Sequence, residues 1–231
     1  GLVNYNTATT EFGTGFELKG DLLVNGTLSV LSGTTERVFR FTGTTDQTVS
    51  GAGVIDLFKV TVNKATGTIL LNRDLQVQNE LVMAQGHIFT NTSLLELGLS
   101  TTQKGILNHT NDYVVGRMRR WFDGTNSGDQ TGLYPMGYDD GGLKNRNTKI
   151  EFTTASTDGG HLTVEYIDVP MGPAGLTIPA INSGGAGFDV TTTEDQGYWK
   201  IDNEVGKLVY GLYTISCIVE GYTTITDLSK L

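Results

Sequence analysis

One phrase occurs twice in this chain of 231 residues. GDLLVNGTLSVLSG at 20–33 and RDLQVQNELVMAQG at 73–86 match as Asp21/Asp74, Leu22/Leu75, Val24/Val77, Leu28/Leu81 and Gly33/Gly86, with Val30 facing Met83. In both copies the matched apolar residues alternate, as Leu22/Val24, Leu28/Val30, Leu75/Val77 and Leu81/Met83, which in an extended chain sends them to one side and the residues between them to the other. The same alternation runs through Phe58/Val60/Val62 and Ile69/Leu71. A hairpin explains a single alternation, but not the return of a phrase with its apolar positions and closing glycine in place. A coiled stack does, because each turn of a solenoid buries its inner face only against the turns above and below. The phrase therefore predicts the wall of a β-solenoid, with equivalent residues at equivalent places and Gly33 and Gly86 at corners that require φ > 0.

The rest of the chain extends this reading. Residues 15–112 give one short strand pattern after another, and 31 glycines against 4 prolines mark frequent turns. No window carries the period of an amphipathic helix. At NHTNDYVVGRMRRWF the texture changes: aromatic residues become dense and the repeated phrase does not recur. Strand patterns continue in GLYPMG, TKIEFTT, HLTVEYIDV, GYWKID, KLVYGLYTISCIVEG and TTITDL, which predicts a β-sandwich. The expected architecture is all-β, with a solenoid over 1–112 and a sandwich or capping domain over 113–231.

These residues also carry a family likeness. Gln47 to Gly51, the step from Gly67 to Leu70, and the phrase from Asp74 to Gly86 are followed by Asp112 to Arg120, Tyr134 to Gly137, and Gly197 to Ile201. In this order they resemble the solenoid segments of very large surface proteins of Bacteroidota, over roughly residues 38–205. The resemblance implies a short right-handed parallel β-helix leading into a β-sandwich, exported to the cell surface, commonly by the type IX route. Neither a signal-peptide pattern nor a C-terminal sorting domain of that family is expected within these residues, so an extracellular or cell-surface location rests on the resemblance. The first residues fit a piece excised from a longer protein.

Charge and motifs narrow the function. A net charge of −9 repels a nucleic-acid backbone and an anionic membrane, and no apolar run reaches the length of a membrane span. The single cysteine, Cys217, sits in LYTISCIVEG, which allows no intrachain disulfide and reads as a buried, inert thiol. His87, His109 and His161 are scattered, and no nucleophile elbow or phosphate loop is present. No catalytic residue and no cofactor are therefore expected. YDDGG offers Asp139 and Asp140 as oxygen ligands for Ca²⁺, with Asp123 and Asp129 to help, although Asp-Gly is equally a hairpin turn.

In GRMRRWF a period of two puts Arg117, Arg119 and Trp121 on one strand face. With Tyr138, such guanidinium and aromatic groups could bind a glycan. The bland alternative is an internal ladder, in which arginine pairs with Glu151 or Asp123 and Trp121 is buried over the last coil.

The expected function is a non-catalytic structural or adhesive segment of a large exported surface protein, acting as a rigid spacer or display module. Its partners would be neighbouring domains of the same protein, with surface glycans or other surface proteins as further candidates, and without membrane insertion. The alternatives are a carbohydrate-binding module and a polysaccharide-degrading β-helix enzyme. The latter needs clustered carboxylates, whereas Asp21, Asp56, Asp74, Glu80 and Glu96 are spread along the sequence.

Overall fold

Alternating apolar residues become walls when successive strands stack in parallel. The computed structural model describes residues 3–5, 15–30, 37–123, 131–152, 159–169, 177–178, 188–189, 197–203 and 213–221. Gly33 and the TTITDL segment lie outside them. Among the described residues every regular element is a strand. The first eleven are β1 (Val3–Tyr5), β2 (Phe16–Leu18), β3 (Leu22–Val24), β4 (Thr27–Val30), β5 (Val38–Phe41), β6 (Gln47–Ser50), β7 (Val54–Asn63), β8 (Ile69–Leu71), β9 (Leu75–Gln85), β10 (Ile88–Leu97) and β11 (Ile106–His109). β12 (Val114–Phe122) follows.

They build three walls of a β-solenoid of about four turns. The first stacks β1, β3, β6, β8 and the starts of β10 and β12. The second stacks β4, the start of β7, the start of β9, the end of β10 and the remainder of β12. The third stacks β2, β5, the end of β7, the end of β9 and β11. All of these pairings are parallel. Up the first wall Leu22 sits on Val49, Val49 on Leu71, Ile69 on Ile88 and Ile88 on Val114. β7, β9, β10 and β12 each bend around a corner and serve two walls.

The repeated phrase lies in this core, and Leu22, Val24, Leu28, Leu75, Val77 and Leu81 are all buried in one apolar cluster. The two copies are nevertheless not stacked equivalents, which corrects the expectation from sequence. The first copy turns from the first wall into the second, since Leu22 pairs with Val49 and Leu28 with Ile55. The second turns from the second wall into the third, since Val77 pairs with Leu57 and Leu81 with Val60. Every corner of the coil joins two inward-alternating strands, so one phrase suits more than one corner. Phe58 is similarly displaced from the inward set: it is half-buried at the bend of β7, between Leu57 and Val60.

The aspartate that opens the phrase has the same task in both copies. Asp21 Oδ1 accepts the Thr48 N–H and Asp74 Oδ1 accepts the Leu94 N–H, each at 2.8 Å and each from the following coil. Asp46 repeats the device with the Thr68 N–H at 2.8 Å and the Thr68 hydroxyl at 3.0 Å. Corner amides, which no ladder satisfies, are thus bonded by the coil beneath. Gly86, at the predicted corner, has φ +106°, and a Cβ there would stand 2.9 Å from Lys64 Cβ.

β12 ends the stack. One edge pairs in parallel with β10 and the other in antiparallel with a strand 38 residues further along, Trp121 opposite His161. The later strands are β13 (Leu133–Tyr134), β14 (Gly137–Asp139), β15 (Leu143–Asn145), β16 (Thr148–Phe152), β17 (Gly160–Ile167), β18 (Thr177–Ile178), β19 (Phe188–Asp189), β20 (Tyr198–Asp202) and β21 (Tyr213–Cys217). β17 and β20 extend the β12 sheet, while β13, β16 and β21 form a second antiparallel sheet. The two sheets meet where the Phe122 ring packs on Phe152 at 5.6 Å and on Tyr134 at 6.5 Å. Cys217 corrects the buried-thiol expectation. It lies on the exposed outer strand β21, although its sulfur faces Thr148 Oγ1 at 3.8 Å.

Candidate functional site

The parity of β12 divides its side chains. Val114, Met118, Arg120 and Phe122 point into the core, while Arg117, Arg119 and Trp121 share the opposite, half-buried side. That side is already connected to its neighbours. Trp121 Nε1–H donates to Glu96 Oε1 at 2.8 Å, and the indole meets the His161 ring edge-on at 4.8 Å. Arg119 Nε–H donates to Thr163 Oγ1 at 3.2 Å, and its Nη1 stands 3.8 Å from Glu96 Oε2. Arg117 lies opposite Glu165, which in turn lies opposite Lys200. The result is a cross-strand ladder of alternating charge, with Glu96 joining Arg119 and Trp121. The partners foreseen from sequence are engaged elsewhere, Glu151 with Lys149 at 2.9 Å and Asp123 with Lys104 at 2.6 Å.

Tyr138 is not brought to this stripe. Its ring packs on Tyr166 at 5.5 Å, and Tyr166 shares its face of β17 with Val164 and Leu162, opposite to Thr163 and Glu165. Its hydroxyl donates to an Asp168 carboxylate oxygen, a bond that pushes the phenol pKa up to about 12. Asp139 Oδ1 accepts the Gly141 N–H at 3.1 Å, and Asp140 pairs with Lys144 across the β14–β15 hairpin. The hydrogen bond from Lys144 holds the Asp140 carboxyl below its usual range. Both carboxylates therefore serve the turn, and among the described residues no group of three or more His, Cys, Asp or Glu side chains could hold a metal ion.

The residue of GRMRRWF that sequence reasoning overlooked is Arg120. It is buried, its Nη1–H donates to the Leu133 carbonyl at 2.6 Å, and burial lowers its pKa to about 10. Tyr134 is buried beside it and donates its hydroxyl to the Leu162 carbonyl at 2.8 Å; desolvation raises its pKa. The side chains that turn inward at the end of β12 are thus Phe122 and Arg120, while Trp121 is only half-buried. A parity count assigns Arg120 to the inward set, but composition argues against burying a guanidinium, and the hydrogen bond to the Leu133 carbonyl helps to offset that cost.

A second cluster lies at the corner between the third and first walls. Lys64 is 1% exposed, and its ammonium donates to Gln47 Oε1 at 2.7 Å and to the Thr45 carbonyl at 2.8 Å. Gln47, also buried, donates in turn to the Gly20 and Leu18 carbonyls at 2.7 and 3.1 Å. Burial lowers the Lys64 pKa, with Asp46 opposing.

Further up this corner a cleft opens between Thr66–Thr68 and Gly86–His87, reaching Asp112. His87 Nδ1 accepts the Tyr113 N–H at 3.1 Å, and Nε2 faces Asp112 Oδ1 at 3.2 Å. Asp112 Oδ2 accepts the Gly86 N–H at 2.6 Å, and the Asp112 carbonyl contacts His109 Nε2 at 2.7 Å. Asp112 achieves this with φ +76°, in the left-handed region.

An Asp–His pair in a cleft resembles a catalytic dyad, but the hydrogen bonds say otherwise. An Nδ1 that accepts an amide proton leaves the imidazole proton on Nε2, where Asp112 takes it, so neither nitrogen offers a lone pair to a substrate. Sequence reasoning missed the cluster because His87 and Asp112 are one coil apart. Only the pairing of Ile88 with Val114 would have placed them together.

Comparison with family models, curated proteins and solved structures gives no match for this chain.

Proposed function

We infer that this chain is a non-catalytic structural segment of a large exported bacterial surface protein, a stiff spacer that holds neighbouring regions of that protein apart. The observation that carries this reading is the double use of β12. It closes the parallel stack through β10 and opens the antiparallel sheet through β17. Coils and cap therefore share one apolar cluster from Leu18 to Val164. A body continuous in both its hydrogen-bond ladder and its core resists bending at the joint. The ladder on the outer face of β12 supports the reading further. Trp121 and Arg119 are held by Glu96, as side chains that brace a sheet, and the paired groups of the polar corner brace successive coils. The likeness to Bacteroidota surface proteins supplies the proposed setting, outside the cell.

The test is a screen of the purified chain against plant, algal and bacterial polysaccharides, reading both binding and release of reducing sugar. Neither is expected. Saturable binding abolished by Trp121→Ala would replace the spacer with a carbohydrate-binding module. Turnover abolished by a single Asp or Glu substitution would replace it with an enzyme.

A further inference from the structure

We propose that the corner joining β10 to β12 is an acid-sensitive latch: a proton on His87 Nδ1 displaces the Tyr113 amide and loosens the seat of β12 on the coil below. The geometry has three parts. First, Tyr113 N–H spends its hydrogen bond on His87 Nδ1 at 3.1 Å, an acceptor that exists only while that nitrogen is unprotonated. Second, the ring cannot easily turn to escape. It stacks on the Tyr113 ring at 5.8 Å with 18° between planes, and its other nitrogen is held by Asp112. Third, the next bonds along are those that seat β12. Ile88 N–H donates to the Tyr113 carbonyl at 3.0 Å, and Ile88 pairs with Val114.

The charged groups around His87 act in both directions. Asp112, from the turn before β12, and Asp139, from β14, favour an imidazolium, but burial of the ring outweighs them and lowers the His87 pKa. Lys64, which lines the same cleft, adds a positive charge and directs its ammonium to Gln47 and Thr45. His109, the other imidazole beside this turn, reaches the Asp112 carbonyl. Asp112 already receives Nε2–H and the Gly86 N–H, so protonation adds charge to an existing bond while deleting the one to Tyr113.

A histidine whose folded pKa is depressed leaves the unfolded chain binding more protons. Its contribution is complete above the unfolded value near 6.5 and lost as pH falls from there towards the folded value. This latch does not depend on the spacer reading. It would act equally in a binding module.

Amide hydrogen exchange by NMR between pH 7.5 and 5 tests it, with rates converted to protection factors. The Tyr113 amide should lose up to about tenfold in protection per pH unit inside the window. The Leu94 amide, held by Asp74, should not. In His87→Asn the side-chain oxygen can replace Nδ1 as acceptor but does not titrate, so Tyr113 protection should become flat with pH, whereas His109→Gln should keep the wild-type slope. An equal slope in wild type and His87→Asn, or a flat wild type, overturns the proposal. Should His87→Asn fail to fold, the ¹⁵N shifts of the wild-type ring decide. Protonation of Nδ1 in step with the Tyr113 amide shift supports the latch, and a ring already protonated at Nδ1 at pH 7.5 refutes it.

Discussion

The coils and the strands beyond β12 solve the same problem with different materials. Inward positions of the coils are mostly Leu, Val and Ile, with Phe39 and Phe41 near one end, and their corner amides are satisfied by side chains one coil away. Beyond Met118 the inward side chains become large and partly polar: Arg120, Phe122, Tyr134, Arg146, Phe152 and Tyr166. Each polar one has its own anchor. Arg146 lies over the Tyr166 ring at 4.9 Å and donates to the Asn145 carbonyl at 2.9 Å, while its own carbonyl accepts from Trp199 Nε1–H at 2.8 Å. A repeated coil offers the same narrow space at every level, which small aliphatic side chains tile. The end of the stack offers an irregular space, filled by large aromatic rings and by long side chains whose polar atoms reach nearby carbonyls.

If coils and cap are one cooperative body, Phe122→Ala should have the largest effect, about 3–5 kcal/mol of lost stability, because it empties the contact between the two sheets. Urea unfolding followed by tryptophan fluorescence reports the cap, since Trp121 and Trp199 both lie there. Far-UV circular dichroism reports the whole chain. Coincident transitions support one body, and separated transitions divide the molecule at β12.

Leu81→Ala, in the third wall, should cost about 2–5 kcal/mol, since stacked neighbours above and below cannot collapse into the cavity. A loss well under about 1 kcal/mol would show the coils to be more compliant than a tiled stack allows. Gly86→Ala should cost about 1–3 kcal/mol, for the left-handed backbone and the contact with Lys64. Measured by the same unfolding assay, an unchanged midpoint would remove the corner from the account.

The smallest effect belongs to the vertical clamps. The Thr68 amide and hydroxyl hold the Asp46 carboxyl below its usual range. Its contribution is therefore present above the unfolded value near 3.8 and fades as pH falls through the folded value. The stability difference between wild type and Asp46→Ala should be constant from pH 7 to 5 and shrink below about pH 4. A difference that persists unchanged at pH 2.5 would assign the effect to packing and not to the carboxylate.

Period-two alternation belongs to the sequence alone, because the pleat of an extended chain sends successive side chains to opposite sides whatever surrounds it. That is why the inward set of the repeated phrase, the glycine corner at 86 and the shared face of Arg117, Arg119 and Trp121 were all legible. Which wall each copy occupies was decided by tertiary structure, since unequal coils shift the register in a way no local pattern records. The same is true of His87 with Asp112 and of Glu96 between Arg119 and Trp121. Each depends on a neighbour 23 or 25 residues away, brought close by the stacking of backbone ladders. Burial of Arg120 was settled later still. Parity pointed it inward, and a carbonyl from another strand helps to make an inward guanidinium tolerable.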